Sequence, residues 1–401
     1  MELTYLLIMF AVVVAAIWLK QPLYVAMLAS VLTGVLLFRV PFGQLGGILL
    51  RGTFGRDTLM MVLAFYTITY LQRMLEKRGR LLEAEHALSV LSGNKRLNIM
   101  ITPFIVGLMP SIGAVLIAAP IVDKIAGDEL DVPERAFVSS FYRHISEAFL
   151  PTYAHILMAL QLSGNQPLRF VLYMLPMVGV LFALGYVFYV RKISKDKDVA
   201  ATKAQRKAAL KQLFVSMWTV LVVVLLMMVL RLPVFVIVLG VVLVNALLER
   251  FTWKELGAFV MKAFETKLIF NTIVIMIFKE VLVYSGALMK MPEYFSHLPI
   301  PTDLVYALMM LVGTVIAGSQ AMIAILIPIA FAAAQAGMPL LVLLMSMAYI
   351  AMQVSPTHVC LSVVVEYYKM PLVSLIKKTI PVVLAAMAVS VAYYYLLLLI
   401  G

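Results

Sequence analysis

Apolar runs of about twenty residues, separated by short polar or basic stretches, recur along the whole chain. Each has the length a helix needs to cross about 30 Å of hydrocarbon. In the first half the pattern predicts spans near 3–19 and 22–38, a semi-polar amphipathic stretch at 41–56 and a third span at 58–75. A hairpin over 97–125, an interrupted helix over 133–163 and a last span over 167–190 follow. The second half predicts the same order: 212–230, 233–248, 251–266, 268–285, then 304–335, 340–366 and 372–400. The hairpin arms are too short to cross twice, so each hairpin should enter and leave on one side. The fold class this implies is all-α and integral to the membrane, with about ten transmembrane helices, two re-entrant hairpins and two broken helices.

The two halves also share landmarks. Lys20-Gln21-Pro22 matches Arg231-Leu232-Pro233, and Gln44-Leu45-Gly46 matches Glu255-Leu256-Gly257, both at an offset of 211. Leu75 and Gly79 match Leu282 and Gly286 at 207. PSIGAVLIAAP, Pro110 to Pro120, lines up with GSQAMIAILIP, Gly318 to Pro328. Pro151, Pro167 and Pro176 match Pro356, Pro371 and Pro381. Prolines are costly inside helices, so three in register point to duplication. Residues 1–190 form one repeat (scaffold 1–75, hairpin and broken helix 97–163), 191–211 a basic linker, and 212–401 the second repeat (scaffold 212–285, hairpin and broken helix 304–366). Five full spans per half is an odd number, which turns the second repeat upside down relative to the first.

Composition agrees with a bilayer as the main solvent. Of 401 residues 64% are hydrophobic and 13% charged, and mean hydropathy is +1.03. A net charge of +12 would raise nucleic-acid binding in a soluble protein, but here the basic residues lie between apolar runs, where orientation rules account for them. No nucleic-acid partner is expected. Arg73, Lys77, Arg78, Arg80, Lys95 and Arg96 flank the first hairpin and eight Lys or Arg occupy 191–211, which places both on the cytoplasmic side and both termini outside. Arg39, Arg51 and Arg56 run against this orientation and require an interfacial helix from which they snorkel. The first run lacks a basic leader and a small-residue cleavage site, so it reads as a retained helix. The single Cys360 rules out an internal disulfide and reads as a packing residue.

Backbone leaves helical geometry inside a bilayer only where protein or water satisfies the freed groups, so breaks locate a cavity. Four are predicted: hairpin tips at 109–113 and 317–321, and helix interruptions at Leu150-Pro151-Thr152-Tyr153 and Ser355-Pro356-Thr357-His358. Helix termini there offer unpaired N–H and C=O groups to ions. The expected substrate-binding residues are Ser111, Ile112, Gly113, Thr152, Ser319, Gln320, Thr357, His358, Arg143 and His155. The expected coupling-ion residues are Ser111, Gly113, Pro151, Thr152, Gly318, Ser319, Ser355, Thr357 and Glu147. Hydroxyl and carbonyl oxygens suit Na+, whereas Glu147, His155 and His358 could exchange protons near neutral pH. Arg143 and Glu147 at i, i+4 read equally well as a structural ion pair, and Lys279 and Glu280 as interfacial charges. Only the first half carries this cluster: Ala348, Tyr349 and Met352 stand at the positions matching Arg143, His144 and Glu147.

With GSQAMIAILIP, its partner PSIGAVLIAAP and the Pro-containing breaks, the chain resembles the ion transporter superfamily, which includes divalent anion:sodium symporters and gluconate, citrate-metal and arsenite permeases. The resemblance spans nearly the whole chain and looks closest to a prokaryotic branch. It implies a dimeric elevator transporter, with hairpins and broken helices as the moving part and the first spans of each repeat as scaffold. Gln320 stands where the symporters' Asn is expected, and Ala321 where their Thr is.

The expected function is secondary transport of a small organic anion, a carboxylate, across a prokaryotic inner membrane, coupled to Na+ or H+. No cofactor is expected; membrane lipid and a second copy of the chain are the expected partners. The alternatives are an exporter, a channel-like conduit and an intramembrane enzyme around His155, His358 and Glu147. No H-E-x-x-H is present and Ser319 lacks a G-x-S-x-G context, so the enzyme reading has no motif behind it.

Overall fold

Helices begin and end at the proline, glycine and basic residues that punctuate the apolar runs. The structure, a computed structural model, describes every residue except 1, 92–93, 109–113, 195–201, 231, 288–298, 334–336, 357 and 401. The first half comprises α1 (Glu2–Trp18), α2 (Leu23–Leu37), α3 (Phe42–Phe54), α4 (Arg56–Lys77), α5 (Arg80–Leu91), α6 (Lys95–Gly107), α7 (Ala114–Ala126), α8 (Val132–His144), α9 (Ala154–Ser163) and α10 (Pro167–Phe188). The second comprises α11 (Lys203–Val229), α12 (Val234–Leu248), α13 (Trp253–Lys262), α14 (Thr266–Ser285), α15 (Thr302–Ala317), α16 (Ser319–Ala333), α17 (Met338–Met352), α18 (Val359–Tyr367) and α19 (Leu372–Ile400). Four of these, α10, α11, α14 and α19, are long and apolar enough to cross a membrane. α1, α2, α12, α15, α16 and α17 are apolar but shorter. Among the described residues every regular element is helical, and the chain is a multi-pass membrane protein.

Two expected boundaries differ in the structure, and one helix was not expected. The basic linker does not extend to residue 211, because α11 starts at Lys203. Thr202 and Gln205 form a capping box there, and the Lys, Arg, Ala and Gln residues that follow are good helix formers in water. The linker's beginning is docked as well: the Arg96 guanidinium donates to the Ile193 and Arg191 carbonyls at 2.7 and 2.8 Å. The first interruption is wider than its proline, since α8 stops at His144 and a 3-10 turn, Ile145–Ala148, precedes the non-helical segment. Finally, α5 was not anticipated; its mixed charge hides it in hydropathy, and it packs on α11.

Several helices end on a residue with left-handed backbone, and these positions recur between the halves. Arg39 and Arg250, 211 apart, both have φ 50. Val40 N–H donates to the Val35 carbonyl and Phe251 N–H to that of Ala246, the same six-to-one closure of the last turn. Gly79 and Gly286 have φ 64 and 65, and Gly164 and Lys369 have φ 68 and 50.

Packing sorts the helices into two groups. In one, α2 and α3 pack on α14 while α12 and α13 pack on α4, a reciprocal arrangement. Here Gly52 lies so close to α14 that a Cβ on it would come within 2.7 Å of the Ile277 Cα. In the other, α6, α7 and α8 form one cluster and α15, α16 and α17 another, and these exchange contacts: α9 packs on α16, and α18 on α7. The half-helices α8 and α17 are its centre. Every residue from Ala136 to His144 and from Leu340 to Met352 is buried, as an all-round apolar α17 requires.

Candidate functional site

Each interruption is fastened to the hairpin of its own half by a serine. Ser146 Oγ donates to the Gly107 carbonyl at 2.6 Å, and Tyr153 OH donates to the same oxygen. In the second half Ser355 Oγ donates to the Val315 carbonyl at 2.9 Å, just before the hairpin turn at Gly318, where φ is 86. Hydroxyls thus satisfy carbonyls that the end of a helix leaves without a partner.

Between the two interruptions lies a buried polar cluster. Arg143 and Glu147 form an ion pair at 1% and 5% exposure. The Arg143 guanidinium also reaches Cys360 Sγ at 3.6 Å. His144 Nδ1 lies 2.6 Å from the Ser140 carbonyl. A carbonyl only accepts, so Nδ1 carries the proton and Nε2 has its lone pair free. That Nε2 faces His358 Nε2 at 3.0 Å, joining the first broken helix to the second. By the same logic His155 Nε2 donates to the Glu147 carbonyl at 2.9 Å.

Two cavities meet at this cluster. One, of about 450 Å³, runs from Arg73, Glu76 and Glu265 to Arg143, Glu147, Thr152 and His155. The other, of about 420 Å³, runs from Ile17, Gln21 and Leu23 to Gly318, Ser319, Ser355 and His358. Glu147, His155, Gln320 and Cys360 line both, and so form the wall between them. Both mouths lie at one end of the first helix group. Arg73 near the end of α4 pairs with Glu265 just before α14 at 2.8 Å, and Tyr24 near the start of α2 contacts the Phe270 ring near the start of α14.

Of the expected site residues, Arg143, Glu147, Thr152, His155, Gly318, Ser319, Gln320, Ser355 and His358 come together around these cavities. Pro151 sits buried in the first interruption. Thr152 Oγ1 is buried with no hydrogen-bond partner. Ser111, Ile112, Gly113 and Thr357 lie outside the described residues. Lys279 and Glu280 are elsewhere: they pair with Asp57 at 3.5 Å and Arg51 at 3.1 Å, tying α3 and α4 to α14. His144 and Cys360 were not expected in the site. Their signal was position: His144 adjoins Arg143, and Cys360 falls two residues after His358.

This two-cluster helical fold has a counterpart among solved structures. It is similar to the crystal structure of the Alcanivorax borkumensis YdaH transporter, described as having an unusual topology, with a TM-score of 0.62 at 12% identity over 88% of this chain and 87% of that one. No curated protein matches the sequence. Residues 2–398 match the family described as "protein of unknown function (DUF401)", and the chain belongs to that family.

Proposed function

We propose that the chain is a secondary transporter of the prokaryotic cytoplasmic membrane that carries a small organic anion, a carboxylate, by alternating access. One observation carries the reading: two cavities end on a thin polar wall in the middle of the protein and both open at the same end. A channel needs access from both ends; a carrier caught in one state does not. The matching left-handed positions and reciprocal packing support two inverted repeats, ten spans and re-entrant hairpins. Elevator motion is supported by how the groups are fastened. The ion pairs of Arg51, Arg73 and Lys279 stay inside the first group, and the Arg143 pair with the serine and histidine bonds inside the second. Where they face each other, Leu71, Leu75, Val220, Val223 and Val238 line a mostly apolar crevice with Leu108, Gln72 and Thr152.

Coupling to Na+ fits Thr152 and Ser319 beside the carbonyls of the breaks, with Arg143, held by Glu147, as the charge that an entering carboxylate would recruit. Proton coupling is a second reading, favoured by Glu147 and two imidazoles in one wall. Proteoliposomes separate them. With sodium coupling, uptake of the anion that stabilises the protein best in a thermal-shift screen should stop when choline replaces sodium, and Ser319→Ala should blunt its sodium dependence more than Glu147→Gln. Uptake that runs on a proton gradient alone and stops in Glu147→Gln would assign the coupling to the cluster. Stabilisation by no organic anion, with or without sodium, would remove the substrate class.

Orientation has its own test. The segment around Lys203 should be cytoplasmic, so Lys203→Cys in a Cys360→Ser background should react with an impermeant maleimide only after cells are opened. Labelling in intact cells would invert the topology.

A further inference from the structure

We infer that His144, Glu147, His358 and Cys360 form a binding site for a divalent late-transition-metal ion of the Zn2+ or Co2+ type, placed where the two broken helices meet. It goes beyond the transport reading, and it holds whether or not an organic anion is the cargo.

The donor atoms are two imidazole nitrogens, one carboxylate oxygen and one sulfur, all within 4.8 Å of one another. This mixed set is too soft for Mg2+ or Ca2+ and suits Zn2+ and its neighbours, which take tetrahedral nitrogen and sulfur ligands. Bonds of about 2.0–2.3 Å in a tetrahedron put ligand atoms roughly 3.3–3.8 Å apart. The observed separations lie on either side of that: 3.0 Å for the two imidazoles and 3.9 Å for His144 Nε2 to Glu147. Small rotations of the side chains would close the set.

A second observation is independent of the clustering. Metal-bound histidines characteristically donate their other ring N–H to a carbonyl or carboxylate, which fixes tautomer and orientation. His144 does this, through Nδ1 to Ser140, and its lone pair points at the other donors. Two residues come from each broken helix, so the ion would bridge the halves. An entry path exists, because Glu147, His358 and Cys360 line a cavity.

On binding, the Cys360 thiol loses its proton to solvent as the sulfur–metal bond forms, and the His358 ring proton moves from Nε2 to Nδ1 to free a lone pair. The charges also balance tolerably. Arg143 and Glu147 cancel, so a divalent ion with one thiolate leaves a single net positive charge beside the cavities.

Cobalt tests this on the full-length purified protein, with any histidine tag removed. One equivalent of Co2+ should produce visible ligand-field bands and a near-ultraviolet thiolate-to-cobalt band, displaced by Zn2+ and not by Mg2+. Because Cys360 is the sole cysteine, that ultraviolet band can only come from it. Cys360→Ser should abolish the band while the protein stays monodisperse, and His358→Gln should weaken binding beyond the roughly 10–100-fold that loss of a supporting group costs. No saturable absorption in folded wild-type protein, or binding unchanged in both variants, would overturn the site. Anion uptake plays no part in the readout, so failure of the transport reading would leave this result standing.

Discussion

Glu147→Ala should recover little monodisperse protein in detergent, with a lowered unfolding midpoint, whereas Glu147→Gln should be milder. The alanine leaves the Arg143 guanidinium, 1% exposed, without its carboxylate. Breaking one partner of a buried pair costs about 3–5 kcal/mol, because the remaining charge stays desolvated. Glutamine keeps an acceptor. Removing both charges tells a different story: Arg143→Met with Glu147→Leu should restore the yield, since apolar replacement of a buried pair is often neutral or stabilising by about 1–4 kcal/mol. A singly substituted Glu147→Ala protein as stable as the parent would mean the pair supports nothing. A double variant that folds but no longer transports would place the pair's value in function.

Gly107→Ala should be nearly as damaging, by another route. A Cβ at Gly107 would lie 2.0 Å from the Arg143 carbonyl oxygen and 2.7 Å from Ser146 Oγ. The first neighbour is backbone and cannot rotate away, so α6 and α8 must separate. That breaks the Ser146 and Tyr153 bonds to the Gly107 carbonyl on top of an overpacking cost of about 1–3 kcal/mol. Gly240→Ala is the control. Nothing lies within 4 Å of its Cβ, and alanine is the better helix former by roughly 0.5–1 kcal/mol. Equal midpoints for the two variants would refute the close-contact account.

Element order was readable from the sequence because apolar runs and prolines mark it directly. The interruptions were readable because Pro-Thr pairs recur at matched positions of the two halves, at 151–152 and 356–357; a single pair, Thr102-Pro103, is accommodated within α6. The extent of the first was not, because Ile145–Ala148 tightens through Ser146 and Tyr153, whose target carbonyl is 39 and 46 residues away in sequence. α5 escaped because its charges are mixed among its apolar residues and the helix it packs on, α11, lies more than a hundred residues on. At the site, Arg143, Glu147 and His358 stood out as charges or imidazoles in lipid-like surroundings. Cys360 did not, since a thiol in an apolar helix looks like packing. Only the approach of the two halves turns it into a neighbour of Arg143 and His144.

The crosswise packing of α9 on α16 and α18 on α7 has a consequence for how the protein is made. When the first half leaves the ribosome, the surfaces of α7 and α9 that will meet the second half have no partner. At about 5–20 residues per second, the wait for the remaining two hundred or so residues lasts roughly 10–40 s. The order of the cluster suits that delay. Arg143 and Glu147 are four residues apart and neutralise each other as soon as their own turn forms, so no lone guanidinium has to be kept in the bilayer. His144 instead completes its contact only when His358 arrives, 214 residues later. The Arg143 charge is therefore quenched while the first half inserts, and the His144–His358 contact is made as the two halves close on each other.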